Sequence, residues 1–329
     1  MILARAPLRI PLGGGGTDLP SYYSRFGGFF VSAAIDKYVY VSVNRPASDD
    51  LIRLKYSQSE EVHRPEELHH DLAREVLKCL GVVHNIEIAS MADVSAGTGL
   101  GSSGSYIVAL LTALHALKHD HQPRWALAEE ASHIEIDLAG HPVGKQDQYV
   151  ATWGGLHCYE IDASGKVEVT PLRVHPDFVE DLHRELLLFY TGRTRESASI
   201  LSRQRLDTER SDPRVIDSLH QTKALGHEIK TVLEAGDLGR FGELLHQHWL
   251  NKKARSNSIT NERVDHMYDL ARKNGALGGK IMGAGGGGFL LLLCAPASSR
   301  RVRDAMGSEG FRPMPFNFDL EGAKVLLNV

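Results

Sequence analysis

Apolar residues recur at every second position over Val31, Ala33 and Ile35, and again over Val39, Val41 and Val43. Period two predicts strands, and Leu51 to Tyr56 continues in the same style. The period then lengthens. Glu66 to Leu80 places Leu68, Leu72, Val76, Leu77 and Leu80 on one face of a helix, with Gly81 at its stop. His84 to Met91 predicts another strand. The clearest helix is Ser103 to Leu117, where Tyr106, Ile107, Leu110, Leu111, Leu114 and Leu117 follow three-four spacing. Trp125 to Leu138 predicts a second, ended by Gly140 and Pro142, and short strands follow over Leu156 to Ile161 and Lys166 to Leu172.

Beyond Pro176 the pattern changes. Leu186 to Tyr190 and Phe289 to Cys294 read as buried strands, and Ser197 to Leu250 as largely helical with one polar face. Val264 to Lys273 and Arg300 to Met306 read as helices, and Ala323 to Val329 as a closing strand. Strands and helices mix without regular βαβ alternation, so the predicted class is α+β with mixed sheets. A length of 329 residues suggests two lobes, 1–165 and 166–329, with the boundary between Asp162 and Pro176.

Composition narrows the partners. A net charge of -4 argues against a general affinity for nucleic acid or for an anionic membrane. The opening MILARAPLRIPLGGGG has no signal-peptide apolar region, and Phe289 to Ala295 is far too short to span a bilayer. Cys79, Cys158 and Cys294 lie far apart without metal-ligand spacing, which favours a reducing cytoplasm and a packing role. The His246-Gln-His248, His69-His70 and His119-Asp-His121 groups lack a zinc pattern and read as surface histidines.

The 32 glycines gather in three clusters, Gly13 to Gly16, Gly97 to Gly104 and Gly278 to Gly288. The middle one, Ser95-Ala-Gly-Thr-Gly-Leu-Gly-Ser-Ser-Gly-Ser105, runs straight into the strongest helix. First-turn amides have no helical partner, and the helix dipole adds positive charge there, so such a loop is an anion cradle. A flexible linker is the plainer reading, disfavoured by the long buried helix that follows at once. An N-cap by Ser102 or Ser103 stays open. Gly99, Gly101 and Gly104 satisfy G-x-G-x-x-G, but no strand ending in an acidic residue follows, so a dinucleotide fold fails on context. Ser105 stands where a Walker loop needs lysine.

Gly99-Leu100-Gly101-Ser102-Ser103 instead resembles the phosphate loop of the GHMP kinases. Three further segments match in order. Ala6-Pro7-Leu8-Arg9 through Thr17-Asp18 is similar to the galactokinase-type opening, and Glu135 stands twelve positions before Asp147 in Gly144-Lys-Gln-Asp-Gln-Tyr149. Lys280-Ile-Met-Gly-Ala-Gly-Gly-Gly-Gly288 resembles the family's C-terminal glycine motif. The resemblance implies a two-lobed fold with the active site between the lobes, ATP as donor and Mg²⁺ as cofactor. It would give the ATP phosphates to Gly97, Thr98, Gly99, Leu100, Gly101, Ser102, Ser103 and Gly104, and magnesium to Ser103 and Glu135. Asp147 would be the general base, with Arg9 beside it, and Thr17 and Asp18 would meet the sugar.

Gly15 and Gly16 replace the Glu-His of that opening, implying a larger pocket. Arg5-Ala-Pro-Leu-Arg9, Gly14-Gly-Gly-Thr-Asp-Leu-Pro-Ser-Tyr-Tyr23 and Ser32-Ala-Ala-Ile-Asp-Lys-Tyr-Val-Tyr-Val41 look like the D-glycero-D-manno-heptose 7-phosphate kinase branch. That likeness implies phosphorylation of the anomeric hydroxyl to a 1,7-bisphosphate, on the way to a GDP-heptose for surface polysaccharide. Arg193, Arg195 and Lys145 are the candidates for the sugar's own phosphate, with Gly285 and Gly286 close to the substrate. Another anomeric sugar kinase, of fucokinase or arabinokinase type, and a non-catalytic sugar sensor are the alternatives. The oligomeric state is left open.

Overall fold

The computed structural model describes residues 1–193, 197–256 and 258–329. In chain order it begins with β1 (Ile2–Gly13), α1 (Pro20–Phe26), β2 (Gly28–Asn44), β3 (Ile52–Lys55), β4 (Ser59–Val62), α2 (Asp71–Cys79) and β5 (Ile86–Ala92). Next come α3 (Ser102–Leu117), α4 (Arg124–His133), α5 (Gln146–Trp153), β6 (Leu156–Ile161), β7 (Val167–Pro171), α6 (Pro176–Glu185) and β8 (Leu186–Tyr190). Helices α7 (Ser197–Glu209), α8 (Pro213–Glu234), α9 (Leu238–Arg255) and α10 (Glu262–Lys273) follow. The chain ends with β9 (Ala276–Ile281), β10 (Phe289–Cys294), α11 (Pro296–Ser308), β11 (Arg312–Pro313) and β12 (Lys324–Asn328).

The class is α+β, as the mixed pattern predicts. One sheet has eight strands, with the path β12-β1-β2-β5-β3-β4 and a branch through β6 and β7. Strand β2 makes the branch: Val39 to Asn44 pair with β5, while Gly28 to Ala33 pair with β6. The second sheet is β11-β8-β10-β9, antiparallel throughout. Among the described residues no helix is long and apolar enough to cross a membrane.

Strand β1 is absent from the hydrophobic pattern because Pro7 and Pro11 interrupt it. Proline removes a ladder donor and belongs at edges or bulges. Here the register with β2 shifts at Pro7/Leu8 and at Pro11/Gly13, and β12 covers only Ile2 to Arg5. Each proline therefore lies where β1 has a strand on one side only. Arg9, between them, is delivered to the interior.

Helix α3 crosses β1 and β2 at the centre of the larger sheet. Its periodicity suggests one buried face, yet Ile107, Val108, Ala109, Leu110, Leu111 and Leu114 are all fully buried. A helix apolar on all sides belongs in a core. Its N-terminus is thereby held fixed by packing, with the glycine loop at its tip.

The helix predicted over Trp125 to Leu138 divides. Helix α4 stops at His133 and a π-helical turn, Ile134–Leu138, carries Glu135. Helix α5, which bears Asp147, replaces the turn that the glycines around it suggest.

Candidate active site

Strand β5 ends at Ala92 and the chain loops through residues 93–101 into α3. Gly101 precedes the helix with φ 86° and ψ 27°, a left-handed conformation that glycine enters without strain. It offers no side-chain cap, so the N-cap reading for Ser102 or Ser103 does not hold, and both serines lie inside the helix. The first-turn amides are left for an anion. The Ser102 hydroxyl is buried with no hydrogen-bond partner among the described residues.

The last glycine cluster packs directly on this loop. A Cβ at Gly99 would lie 2.7 Å from the Met282 carbonyl oxygen, and one at Gly288 would lie 2.1 Å from that of Thr98. Two glycine segments far apart in sequence form one interlocked wall.

Asp147 stands in the first turn of α5, against the first turn of α3. Arg9 donates to its Oδ1 from Nε at 2.8 Å and approaches the same oxygen with Nη2 at 2.6 Å. The third donor of that guanidinium, Nη1, reaches the Gly99 carbonyl at 2.6 Å. One buried arginine thus ties the carboxylate to the loop, and charge-assisted bonds of this kind are the strong ones.

Asp18 approaches from the N-terminal glycine cluster. Its carboxylate accepts from the Gly16 amide at 2.9 Å and the Gln146 amide at 3.2 Å. Burial pushes its pKa above the usual carboxylate range, against those two bonds, and Asp147 adds in the same direction. Thr17 is fully buried and bonds the carbonyls of Gly14 and Phe29, which fixes the turn.

A large cavity of about 970 Å³ and a small one of about 90 Å³ meet at this point. Arg9, Val143, Asp147, Leu201, Gly283 and Ala284 line both. The large cavity runs along Gly97, Gly99, Gly101, Ser102 and Ser103 to an aromatic wall of Tyr56, His70 and Tyr106. The small one is also lined by Gly15, Gly16 and Asp18, and by Gln146, Gln204, His248, Lys252, Arg255 and Lys280. Asp147 therefore has a cavity fit for a nucleotide on one flank and a polar cavity on the other.

Other residues that the sequence singles out fall elsewhere. Thr98 and Leu100 are buried, and Leu100 accepts the Arg9 amide through its carbonyl. Gly104 is the contact of α3 with α5. Gly285 and Gly286 pack on Ile259 and Asn261, beyond the cavity lining. Lys145 turns away from both cavities: its ammonium bonds both oxygens of Glu129, at 2.8 and 2.7 Å, and the Gly165 carbonyl at 2.6 Å. Arg193 is exposed and uses its carbonyl to accept from the Gly288 amide, while Arg195 lies outside the described residues.

Glu135 is buried rather than solvated. Gln148 donates to its Oε2 at 2.6 Å, and Oε1 accepts no hydrogen bond, with His141 Nδ1 at 3.6 Å. It lines neither cavity.

The surface reading of the histidines fails at His248. It is buried in the small cavity with neither ring nitrogen bonded among the described residues. His248, Lys252 and Arg255 recur at spacings of four and three, one face of α9, and that spacing is the signal the sequence holds for them.

Comparison with known proteins identifies the family. Residues 67–155 match the GHMP kinases N terminal domain and residues 229–312 the GHMP kinases C terminal domain, together more than half of the chain. A D-glycero-alpha-D-manno-heptose 7-phosphate kinase from Campylobacter jejuni is 28% identical over 98% of both chains. An L-fucokinase/L-fucose-1-P guanylyltransferase from Bacteroides fragilis is 26% identical over 95% of this chain and 37% of its own length. The crystal structure of a D-glycero-D-manno-heptose 1-phosphate kinase from Bacteroides thetaiotaomicron superposes with a TM-score of 0.81 at 25% identity, covering 100% of both chains.

Proposed function

The chain belongs to the GHMP kinases, ATP-dependent phosphotransferases, and from that premise we propose that it phosphorylates the anomeric hydroxyl of D-glycero-D-manno-heptose 7-phosphate, giving the 1,7-bisphosphate. The observation that carries the reading is Asp147, bonded by Arg9 where the large cavity meets the small one. The heptose phosphate kinase relatives supply the sugar class.

ATP occupies the large cavity, its phosphates on the amides at the tip of α3 and its base toward Tyr56, His70 and Tyr106. The acceptor enters the small cavity with Asp18 on its hydroxyls. Phosphoryl transfer makes little covalent demand on the protein, so the work is positioning and charge neutralisation. Asp147 accepts the proton of the attacking hydroxyl, and Arg9 holds the carboxylate in place.

Magnesium takes oxygen ligands, commonly one or two carboxylates completed by substrate phosphates. The residues fit that set only in part: Ser103 lines the large cavity, whereas Glu135 lines neither cavity and its Oε1 lies 3.6 Å from His141 Nδ1. No group of three or more His, Cys, Asp or Glu among the described residues could hold a metal alone, so the nucleotide would complete the shell. When bound, the ion would neutralise charge on the phosphate oxygens.

The test is ADP release with a panel of free and phosphorylated sugars. D-glycero-D-manno-heptose 7-phosphate is expected to give the highest kcat/KM. A higher value with L-fucose would move the chain to a fucokinase reading, and no ADP release with any sugar would make it a sensor.

A further inference from the structure

Arg255 and Lys280, buried in the wall of the small cavity, have no carboxylate partner among the described residues. Arg255, at the end of α9, spends its donors on neutral oxygens: Ser218 Oγ at 3.1 Å, Gln204 Oε1 at 3.3 Å and Thr222 Oγ1 at 2.8 Å. Lys280 on β9 is 2% exposed, and its ammonium bonds one carbonyl, that of Leu12, at 3.1 Å. The carboxylates in the lining are Asp18, held by backbone amides, and Asp147, held by Arg9.

Unpartnered polar atoms point the same way. Gln146 Nε2 and both nitrogens of His248 are buried in this lining with no hydrogen bond among the described residues. A buried cation without a counter-charge is costly, and so is a buried donor without an acceptor. Burial pulls Lys280 down to about 7, with Arg9 adding repulsion, pulls Arg255 down to about 10, and holds His248 well below its ordinary value. Each of these groups is stabilised by an incoming anion.

Gly16 completes the arrangement. With φ at +99°, its α-carbon faces Arg255: a Cβ there would lie 3.3 Å from Nη1 and 3.4 Å from Gln204 Nε2. The room left by the glycine pair is therefore taken by a guanidinium fork, the donor geometry that matches phosphate oxygens.

We propose that this cavity binds the phosphate monoester that the sugar already carries, with Arg255 and Lys280 as its charged contacts and Gln146 and His248 as its neutral ones. The site rests on the reading of the chain as a kinase of a phosphorylated sugar. It places specificity on α9 and β9, away from Arg193 and Lys145.

The experiment compares kcat/KM for D-glycero-D-manno-heptose 7-phosphate with that for the same heptose lacking the phosphate, in wild type, Arg255→Met, Lys280→Met and Arg255→Lys. Loss of one charged contact is expected to cut the preference for the phosphorylated sugar by about 10- to 100-fold, with Arg255→Lys recovering part of it. Inorganic phosphate is expected to compete with the sugar phosphate in wild type, and more weakly in Arg255→Met. An unchanged preference ratio in both Met variants overturns the site. So does inorganic phosphate that competes with ATP alone, a result read on wild type even if the variants do not fold. A wild type that turns over free heptose but not its 7-phosphate overturns the substrate reading and the site together. One that prefers the phosphosugar, with variants that do too, removes the site alone.

Discussion

Arg9 pairs with Asp147 through Nε and Nη2 and bonds the Gly99 carbonyl through Nη1, so the proposed base and the glycine loop are tied together. Asp147→Asn keeps the side-chain shape and removes the proton acceptor. Turnover should fall by about 10²–10⁴-fold while ATP affinity changes little, measured by single-turnover kinetics and by nucleotide titration. A wild-type rate in that variant would dismiss Asp147 as the base. Gly104 matters for a different reason. A Cβ on it would lie 2.7 Å from Asp147 Cβ and 3.0 Å from the Gln148 amide nitrogen. Gly→Ala inside a helix ordinarily gains ~0.5–1 kcal/mol, but overpacking of this kind costs ~1–3 kcal/mol. Gly104→Ala should therefore lower the urea midpoint and turnover together, because the two first turns are forced apart.

Helix α3 sets the position of everything at its tip, and its own position is set by burial. Leu110 is fully buried in the main core, so Leu110→Ala should cost ~2–5 kcal/mol by urea unfolding. The π-helical turn after α4 has a titratable clasp. His141 Nε2 bonds Asp71 Oδ2 at 2.7 Å, and that bond, with the Glu135 carboxylate beside it, raises the histidine to about 10 from 6.5. A raised pKa means stabilisation that is complete below 6.5 and lost as pH rises toward 10. The melting temperature of wild type should exceed that of His141→Gln at pH 6, and the gap should close by pH 10. A gap that stays constant across that range would show that the clasp carries no charge.

These elements also show what the sequence could display. Helix α3 is legible because six apolar positions repeat over four turns, and the glycine loop because it abuts that helix. Strand β1 is not, since Pro7 and Pro11 break the alternation and only partial coverage by β12 excuses them. Helix α5 has eight residues and opens at Gln146 directly after Gly144-Lys145, so the turn signal hides it. The cations of the small cavity come from α9, where a four-three spacing is their one signal, and from β9, at the head of the last glycine cluster. Lys280 is the clearest case: in sequence it precedes a glycine motif, and only the sheet shows that its ammonium turns inward to Leu12.

At the scale of the molecule, the chain passes from the larger sheet to the smaller and back again. After β11 it returns through Phe318, which bridges to Ile35, and β12 then pairs with the start of β1. The main apolar core spans both sheets, since it includes Leu8, Leu110 and Val41 together with Leu188, Leu244, Leu291 and Leu293. Met282 belongs to the same core and its carbonyl abuts Gly99, so the wall of the nucleotide cavity is made where the sheets meet. Chains of this length often unfold in steps when each part has a core of its own. Here the smaller sheet has a second core on its other face, around Phe189, Trp249 and Met267, but Leu188, Leu291 and Leu293 on its inner face belong to the core shared with the larger sheet. Wild type should unfold in urea as a single transition, with far-UV circular dichroism and the fluorescence of buried Trp249 giving one midpoint. Saturation with ATP should move both signals together, by about 2.7 kcal/mol at a hundred times Kd, because the cavity it fills belongs to both sheets. Two midpoints, or an ATP shift seen by one probe only, would mean that the halves hold their structure separately and that the site closes only when they dock.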